Sequence, residues 1–358
     1  MKILHVADLH LEGGYNRVGS EKNKLLKAEG LDYFSQVLGI AESEHASAVL
    51  LCGDLFDRLS VRVSFRKEIT NQIAAHPDIK FFYCLGNHDH KLLFEDEKPD
   101  NLIIFSTDFE KYDLGEVVIG GSSVLKFSRR DFIDKIDFDK NRLNILMLHA
   151  YLSSTSYDDC LSFEVKELKN KCIDYLALGH IHTRSDGKID ERGVWVYSGN
   201  GGKYGFGNYP KGCVILTIEN GKISWERRDF VSKRNFVDAY VDISACQDSK
   251  DIEAAIKNTL KNCSHNDLVR VFLKGEYDED IYKNIQYLIE KLSDDYFYFD
   301  IRDDSKLRID IERLKNETLS LKAELIKLVL DRQDLTDEEK EKCIKLGISA
   351  LRGEEVEV

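Results

Sequence analysis

Short apolar runs recur through the first half of the chain, and each ends on the same kind of polar residue. Ile3-Leu4-His5-Val6-Ala7 leads into Asp8-Leu9-His10, and Ala48-Val49-Leu50-Leu51-Cys52 into Gly53-Asp54-Leu55-Phe56-Asp57. Lys80-Phe81-Phe82-Tyr83-Cys84-Leu85 ends at Gly86-Asn87-His88-Asp89. Ile145-Leu146-Met147-Leu148 ends at His149, and Tyr175-Leu176-Ala177-Leu178 at Gly179-His180-Ile181-His182. Unbroken runs of this length predict buried strands. Between the first two, Glu21–Glu44 places Leu25, Leu31, Phe34, Val37, Leu38 and Ala41 at helical spacing, with a break expected at Gly30. Val61–Ala75 predicts a shorter, basic helix carrying Arg62, Arg66 and Lys67. Strand-helix-strand order implies right-handed crossovers and a largely parallel sheet.

From Val117 the texture changes. Val117-Val118-Ile119, Val194-Trp195-Val196-Tyr197, Val214-Ile215-Leu216-Thr217-Ile218 and Ile223-Ser224-Trp225 are short strands parted by turns such as Glu219-Asn220-Gly221-Lys222. They predict a second sheet packed on the first. The glycine-rich stretch Gly199 to Gly207 reads either as a long hairpin connection or as a flexible rim carrying Lys203, Tyr204 and Phe206 over the cleft. Aromatic residues there can stack bases. A boundary falls near Ser232-Lys233-Arg234, followed by a βαβαβ module: strands Phe236–Ile243, Leu268–Leu273 and Tyr296–Ile301, helices Ser249–Leu260 and Ile281–Leu292. Finally Leu307, Ile311, Leu314, Thr318, Leu321, Leu325 and Leu328 advance by fours and threes. That is a heptad seam on a helix, with Asp334 to Glu339 capping a second helix.

A chain of 358 residues has room for two or three domains, and 32% charged with 42% hydrophobic residues is a globular composition. No apolar run reaches membrane-spanning length and the N-terminus enters a strand directly, so a soluble, cytoplasmic protein is expected. The eight cysteines are scattered with no Cys-x-x-Cys pair, which predicts reduced thiols and no thiolate metal site. A net charge of −13 opposes nucleic-acid binding in bulk, although it says little about local fields. Lys126, Arg129 and Arg130 form a small basic cluster, as do Arg227, Arg228, Lys233 and Arg234; most such clusters are solvated faces.

The five strand endings matter more together than singly. A lone His after an apolar run is ordinarily a hydrogen-bonded core residue, and Gly-Asn is common turn chemistry. In α/β sheets, however, ligands gather beyond the carboxyl ends of the strands, so five such endings predict one convergent site. Its inventory is Asp8 and Asp54, the imidazoles of His10, His149, His180 and His182, and the amide oxygen of Asn87. This oxygen and nitrogen set, without thiolate, is too large for one ion and suits two divalent cations that share a carboxylate. His88, beside Asn87, is left to stabilise the transition state and protonate a leaving oxygen, with Asp57 as its partner. The reaction class is metal-assisted phosphoester hydrolysis.

In this order the motifs Asp-x-His, Gly-Asp-x-x-Asp, Gly-Asn-His-Asp, lone His and Gly-His-x-His resemble the calcineurin-like metallophosphoesterase superfamily, over residues 1 to about 230. The resemblance implies an α/β fold, a four-layer two-sheet sandwich flanked by helices. It assigns one ion to Asp8, His10, Asp54 and His182, and the other to Asp54, Asn87, His149 and His180. It makes His88 the transition-state histidine and Asp57 its partner, with manganese as the metal; the ligands alone also suit iron or zinc. The small α/β cap and heptad tail are similar to the SbcD-type DNA-repair nucleases. Asp267 to Glu276 and Leu346 to Leu351 resemble the shorter YhaO-type branch more specifically. After Tyr197, Ser198-Gly199-Asn200 stands where that family has Pro-Gly-Ser.

The resulting expectation has three parts. Residues 1–232 form a binuclear nuclease domain and 233–303 an α/β capping, DNA-binding domain. Residues 304–358 form a helical tail whose Leu307, Ile311, Leu314, Leu321, Leu325 and Leu328 dock an SbcC-type ATPase. DNA contacts are expected at Lys126, Arg129, Arg130, Lys203 and Tyr204, in a homodimer with no membrane association. A phosphodiesterase for cyclic nucleotides or other small phosphoesters, and a non-catalytic scaffold on the same fold, are the alternatives.

Overall fold

Among the described residues, thirteen strands build two facing sheets in the first part of the chain. They are β1 (Lys2–Val6), β2 (Ala48–Cys52), β3 (Lys80–Cys84), β4 (Leu102–Ile104), β5 (Glu110–Asp113), β6 (Val117–Gly121) and β7 (Leu143–Leu152). Next come β8 (Leu161–Phe163), β9 (Tyr175–Gly179), β10 (Ser185–Lys188), β11 (Val194–Tyr197), β12 (Gly212–Glu219) and β13 (Lys222–Asp229). The structure is a computed structural model. It describes every residue except 58–60, 90–97, 124–132, 154–159, 203, 204, 208, 279, 280, 309, 310, 312, 314–319 and 352–358. The chain divides into two compact units, Met1–Lys233 and Arg234–Val358.

In the first unit, one sheet has the order β13-β12-β1-β2-β3-β4, and the other β10-β11-β9-β7-β6-β5 with β8 beside β7. β1 to β4 run parallel, as do β6, β7, β9 and β11. Alternate residues of each strand meet in the seam between the sheets. Ile3, Leu50 and Phe82 from one side join Ile145, Met147, Ala177 and Val196 from the other, all buried. The outer face of the second sheet, with Leu146, Leu148, Leu176 and Leu178, is covered by Ile133, Ile136, Phe138, Leu168 and Ile173. Two helices, α1 (Ser20–Ser43) and α2 (Val63–Ala74), bury Phe34, Val37, Ala41, Phe65 and Ile69. The architecture is the expected α/β two-sheet sandwich.

Two sequence expectations change here. β12 and β13, which contain Val214–Ile218 and Ile223–Trp225, belong to the first sheet: β12 pairs antiparallel with β1 and β13 with β12. Helix α1 passes through Gly30 without a break. Gly30 is buried on the packed face, where tertiary packing overrides low helix propensity. The same face takes Leu26, while Leu25 points outward.

The second unit holds a parallel three-stranded sheet of β14 (Phe236–Asp242), β15 (Leu268–Lys274) and β17 (Tyr298–Asp303). A short ladder pairs β16 (Glu276–Asp278) with β18 (Lys306–Arg308). Helix α3 (Ser249–Thr259) starts at Asp248, whose carboxylate accepts from the Lys250 and Asp251 amides as an N-cap. Helix α4 (Ile285–Leu292) begins later than the apolar spacing from Ile281 predicts, because Asn284 adopts a left-handed backbone (φ 45°).

The tail departs further from the heptad expectation. Leu307 lies on a strand, and the helix Leu321–Leu330 buries Ala323 and Ile326 while Leu321 and Leu328 are 76% and 68% exposed. A second helix, Asp337–Leu351, returns Ile344 and Ile348 against Ile326, with Leu307, Ile311 and Leu325 at the margin. The apolar face is therefore spent on a local helical pair instead of a continuous seam. Leu314 and Thr318 lie outside the described residues.

Candidate metal centre

The loop after β1 lies alongside the loop after β2, and backbone bonds zip them together. Asp8 N–H donates to the Gly53 carbonyl (3.1 Å), His10 N–H to Asp54 (3.0 Å), Leu11 N–H to Leu55 (2.8 Å) and Asp57 N–H to Leu11 (3.1 Å). This pairing requires unusual backbone angles: Asp8, His10 and Asp54 have φ of 54°, 44° and 51°. Left-handed non-glycine residues cost on the order of 1–3 kcal/mol each, and they persist where the surrounding structure enforces them. Here the strain turns two carboxylates and an imidazole toward one point at the ends of the strands.

The donor atoms converge. Asp8, His10 and His182 present atoms all within 4.8 Å of one another, and so do Asp8, Asp54 and His149. The ring nitrogens Nε2 of His10 and His182 are 3.3 Å apart. Asp54 Oδ2 lies 3.7 Å from His10 Nε2 and 3.4 Å from His149 Nε2, while its Oδ1 accepts the His88 N–H at 2.9 Å. Asn87 Oδ1 stands 3.0 Å from the same His149 nitrogen. His180 places its ring centroid 5.2 Å from that of His149, and its backbone N–H donates to the Asp8 carboxylate. Asp8, His10, Asp54 and His149 are buried.

The histidines are oriented from behind. His149 Nδ1 faces the Cys52 carbonyl at 3.0 Å, which can only accept, so Nδ1 donates there and Nε2 is the atom turned inward toward Asp54 and Asn87. His10 Nδ1 stands 3.2 Å from an Asp57 carboxylate oxygen, an ion-pair distance without hydrogen-bond alignment. Asp57, expected beside His88, meets both histidines. Its carboxylate backs His10, while His88 Nδ1 takes the Asp57 backbone carbonyl at 3.1 Å. The carboxylate nonetheless lies within 4.8 Å of a ring nitrogen of both His10 and His88.

Electrostatics fit a cation site. Burial pushes the Asp54 carboxyl upward, but His149 and His10 outweigh this and hold it below the usual range. Burial likewise disfavours a charged His149, yet Asp54 and Asp8 raise its pKa to about 10. The cluster therefore attracts positive charge strongly enough to retain a proton on a fully buried ring. Divalent cations are the natural replacement for that proton. The donor set of carboxylate, imidazole and amide suits hard to borderline divalent ions.

Two features escaped the pattern reading. Asp89, 3% exposed, accepts N–H bonds from Gly86 (2.9 Å), Phe56 (3.2 Å) and Leu55 (3.4 Å), binding the second and third loops together. Its burial, reinforced by the charge on Asp54, raises its pKa to about 6. The glycine-rich stretch begins as buried floor, not as rim: Asn200 N–H donates to the His182 carbonyl and Gly201 N–H to that of Asp8. A Cβ on Gly201 would lie 2.2 Å from the Ala7 carbonyl oxygen, and one on Gly86 at 2.2 Å from Asp54 Oδ1, so both positions exclude side chains. Phe206 rests edge-on against Tyr15, with centroids 5.6 Å apart. Lys203 and Tyr204, like Lys126, Arg129 and Arg130, lie outside the described residues.

With this geometry in hand, comparison with known proteins defines the class. The calcineurin-like phosphoesterase profile matches residues 1–184, and the chain belongs to that family. Among curated proteins it is similar to the DNA double-strand break repair protein Mre11 of Sulfurisphaera tokodaii, 29% identical over 207 residues, or 53% of this chain and 51% of that one. It is also similar to the uncharacterized metallophosphoesterase YhaO of Bacillus subtilis, 28% identical over 246 residues, or 63% and 59%. The Mre11 of Sulfolobus acidocaldarius is 28% identical over 204 residues, 53% and 52%. The chain spans about half the length of the curated relatives it matches. Hydrolysis of phosphoesters with divalent metal is the activity of this family.

Proposed function

We propose that the protein is a DNA exonuclease/endonuclease of double-strand break repair that uses two divalent cations, manganese being the expected metal. The observation that carries this reading is the convergence of Asp8, His10, Asp54, Asn87, His149 and His182 on one buried point with His88 beside it. The similarity to proteins named Mre11 favours a nucleic-acid substrate. Asp8, His10, Asp54 and His182 hold one ion; Asp54, Asn87, His149 and His180 hold the other. Bound there, the cations supply charge neutralisation at the phosphoryl oxygens and an activated water.

The chain's own residues do the rest. Asp54 uses one oxygen to fix the His88 backbone and presents the other between His10 and His149. His88 keeps a proton on Nδ1 through the Asp57 carbonyl, so Nε2 is the atom that meets substrate and passes a proton to the leaving oxygen. Asp57 orients His10 and holds negative charge near His88. On this reading the chain is cytoplasmic and homodimeric, and it works with an SbcC-type ATPase. That partner meets the tail, where Leu321 and Leu328 are exposed. Its parts are a nuclease domain (1–232), a capping domain (233–303) and a docking tail (304–358). Among the described residues no helix is long and apolar enough to cross a membrane.

Incubation with Mn²⁺ and labelled single- and double-stranded DNA, beside bis-p-nitrophenyl phosphate, tests the proposal. Cleavage of DNA and of the small diester is expected. Turnover of the small diester alone returns the protein to a small-phosphoester role.

A further inference from the structure

Next to the metal-type cluster lies a cavity of about 590 Å³ that the chemistry above does not use. It is lined by Leu11, Glu12, Lys24, Lys27, Ala28, Val61 and Arg62. Its floor begins one residue beyond His10, where Leu11 is tied to the Leu55 carbonyl, so it is continuous with the loops that form the centre. Among the described lining residues three cations accompany one carboxylate, in a chain of net charge −13.

The positive excess is built into the loop geometry. Glu12 adopts a left-handed backbone (φ 62°), and its carboxylate accepts from both the Arg62 backbone N–H and the guanidinium Nε. The one acid among the described lining residues is thus engaged in fixing the arginine. Lys24 and Lys27 stand one turn apart on α1 and so share a face. Lys24 pairs with the exposed Glu21 at 2.7 Å, a surface contact that water screens and a stronger anion displaces. Space of this size holds a nucleotide rather than a lone ion.

We infer that this cavity receives a flanking phosphate of a polynucleotide strand whose scissile phosphodiester lies over the metal-type cluster, with Lys24, Lys27 and Arg62 as its contacts. The inference rests on the nucleic-acid reading above and adds to it a means by which an acidic chain grips its substrate. A phosphodiester with no neighbouring phosphate cannot reach the cavity. Lys24 and Lys27 are therefore positioning residues for polynucleotides alone.

The test pairs two substrates and a binding measurement. In the Lys24→Ala/Lys27→Ala variant, kcat/KM for bis-p-nitrophenyl phosphate stays within about twofold of the parent. Its affinity for a fluorescein-labelled oligothymidylate, read by anisotropy on metal-free protein, falls about tenfold. The slope of log Kd against log salt drops by about 0.7, the loss of one neutralised single-strand phosphate. The Lys24→Arg/Lys27→Arg variant restores both values. Unchanged oligonucleotide affinity and salt slope in the alanine variant, or equal loss on both substrates, overturns the inference. Because binding is read without metal, it judges the cavity even where a parent inactive on every phosphodiester would sink the catalytic reading.

Discussion

Asp89 joins two catalytic loops through one carboxylate, and its environment is specific to an acceptor. Three backbone N–H groups point at its oxygens from Leu55, Phe56 and Gly86. Asp89→Asn would put an amide N–H₂ against at least one of these donors, leaving a buried N–H unsatisfied at about 1–3 kcal/mol. Since Asn87 and His88 lie within the same turn, metal affinity should fall about 10–100-fold, as when groups that orient ligands are removed. Calorimetric titration with Mn²⁺ measures it, and an unchanged affinity would show that the loops hold without the carboxylate. His88→Ala separates binding from chemistry. It should retain both equivalents of metal yet lose activity by about 10²–10⁴, the range for a positioned proton donor; loss of metal would make His88 a ligand. The pairing of Asp57 with His10 was not readable from residue order, because Gly-Asp-x-x-Asp says nothing about which imidazole its second carboxylate faces.

At the scale of elements, His5 shows what an apolar run conceals. It sits mid-strand in β1, fully buried, and reaches across the seam so that Nδ1 meets the Tyr175 hydroxyl (2.9 Å) and Nε2 the Leu178 carbonyl (3.2 Å) of β9. Burial lowers its pKa to about 3, against a partial opposing effect of the Leu178 carbonyl. The unfolded chain takes up this proton near pH 6.5 and the folded one only near 3. The contribution is therefore complete above about pH 6.5 and lost as pH falls, at up to about 1.4 kcal/mol per pH unit. His5→Gln removes the titration, so urea stability of the metal-free variant should fall less steeply between pH 6.5 and 3 than that of the parent. Equal slopes would mean that His5 is not held neutral. The strands themselves were legible, because runs such as Ala48–Cys52 are apolar on both faces and end in site residues. Sheet membership was not. β12 is equally apolar, and only its register, with Val214 opposite His5, places it beside β1.

At the scale of the whole chain, the tail is where the apolar pattern and the structure diverge most. The spacing from Leu307 to Leu328 reads as one seam, yet Lys306–Arg308 pairs as a strand with Glu276–Asp278, and Arg308 forms a bidentate ion pair with Asp278. A seven-residue repeat records which side chains are apolar; it does not record where the backbone stops being helical. Deletion at 304 would therefore cut into the α/β module, whereas deletion of 309–358 removes the helical pair and spares the ladder. Ile326, Ile344 and Ile348 would go together, and of the described members of their cluster the truncation retains Leu307, with part of its cover lost. Hydrolysis of bis-p-nitrophenyl phosphate should persist at parental kcat/KM, since every donor of the metal-type cluster precedes Lys233. Co-purification with the proposed ATPase partner and ATP-stimulated cleavage of duplex DNA should be abolished. The Leu321→Glu/Leu328→Glu variant isolates the surface, because both side chains are exposed and their charges leave the Ile326 cluster intact. If this variant still recruits the ATPase while the truncation does not, the partner reads the second helix instead. Recruitment by both proteins would move the docking site off the tail altogether.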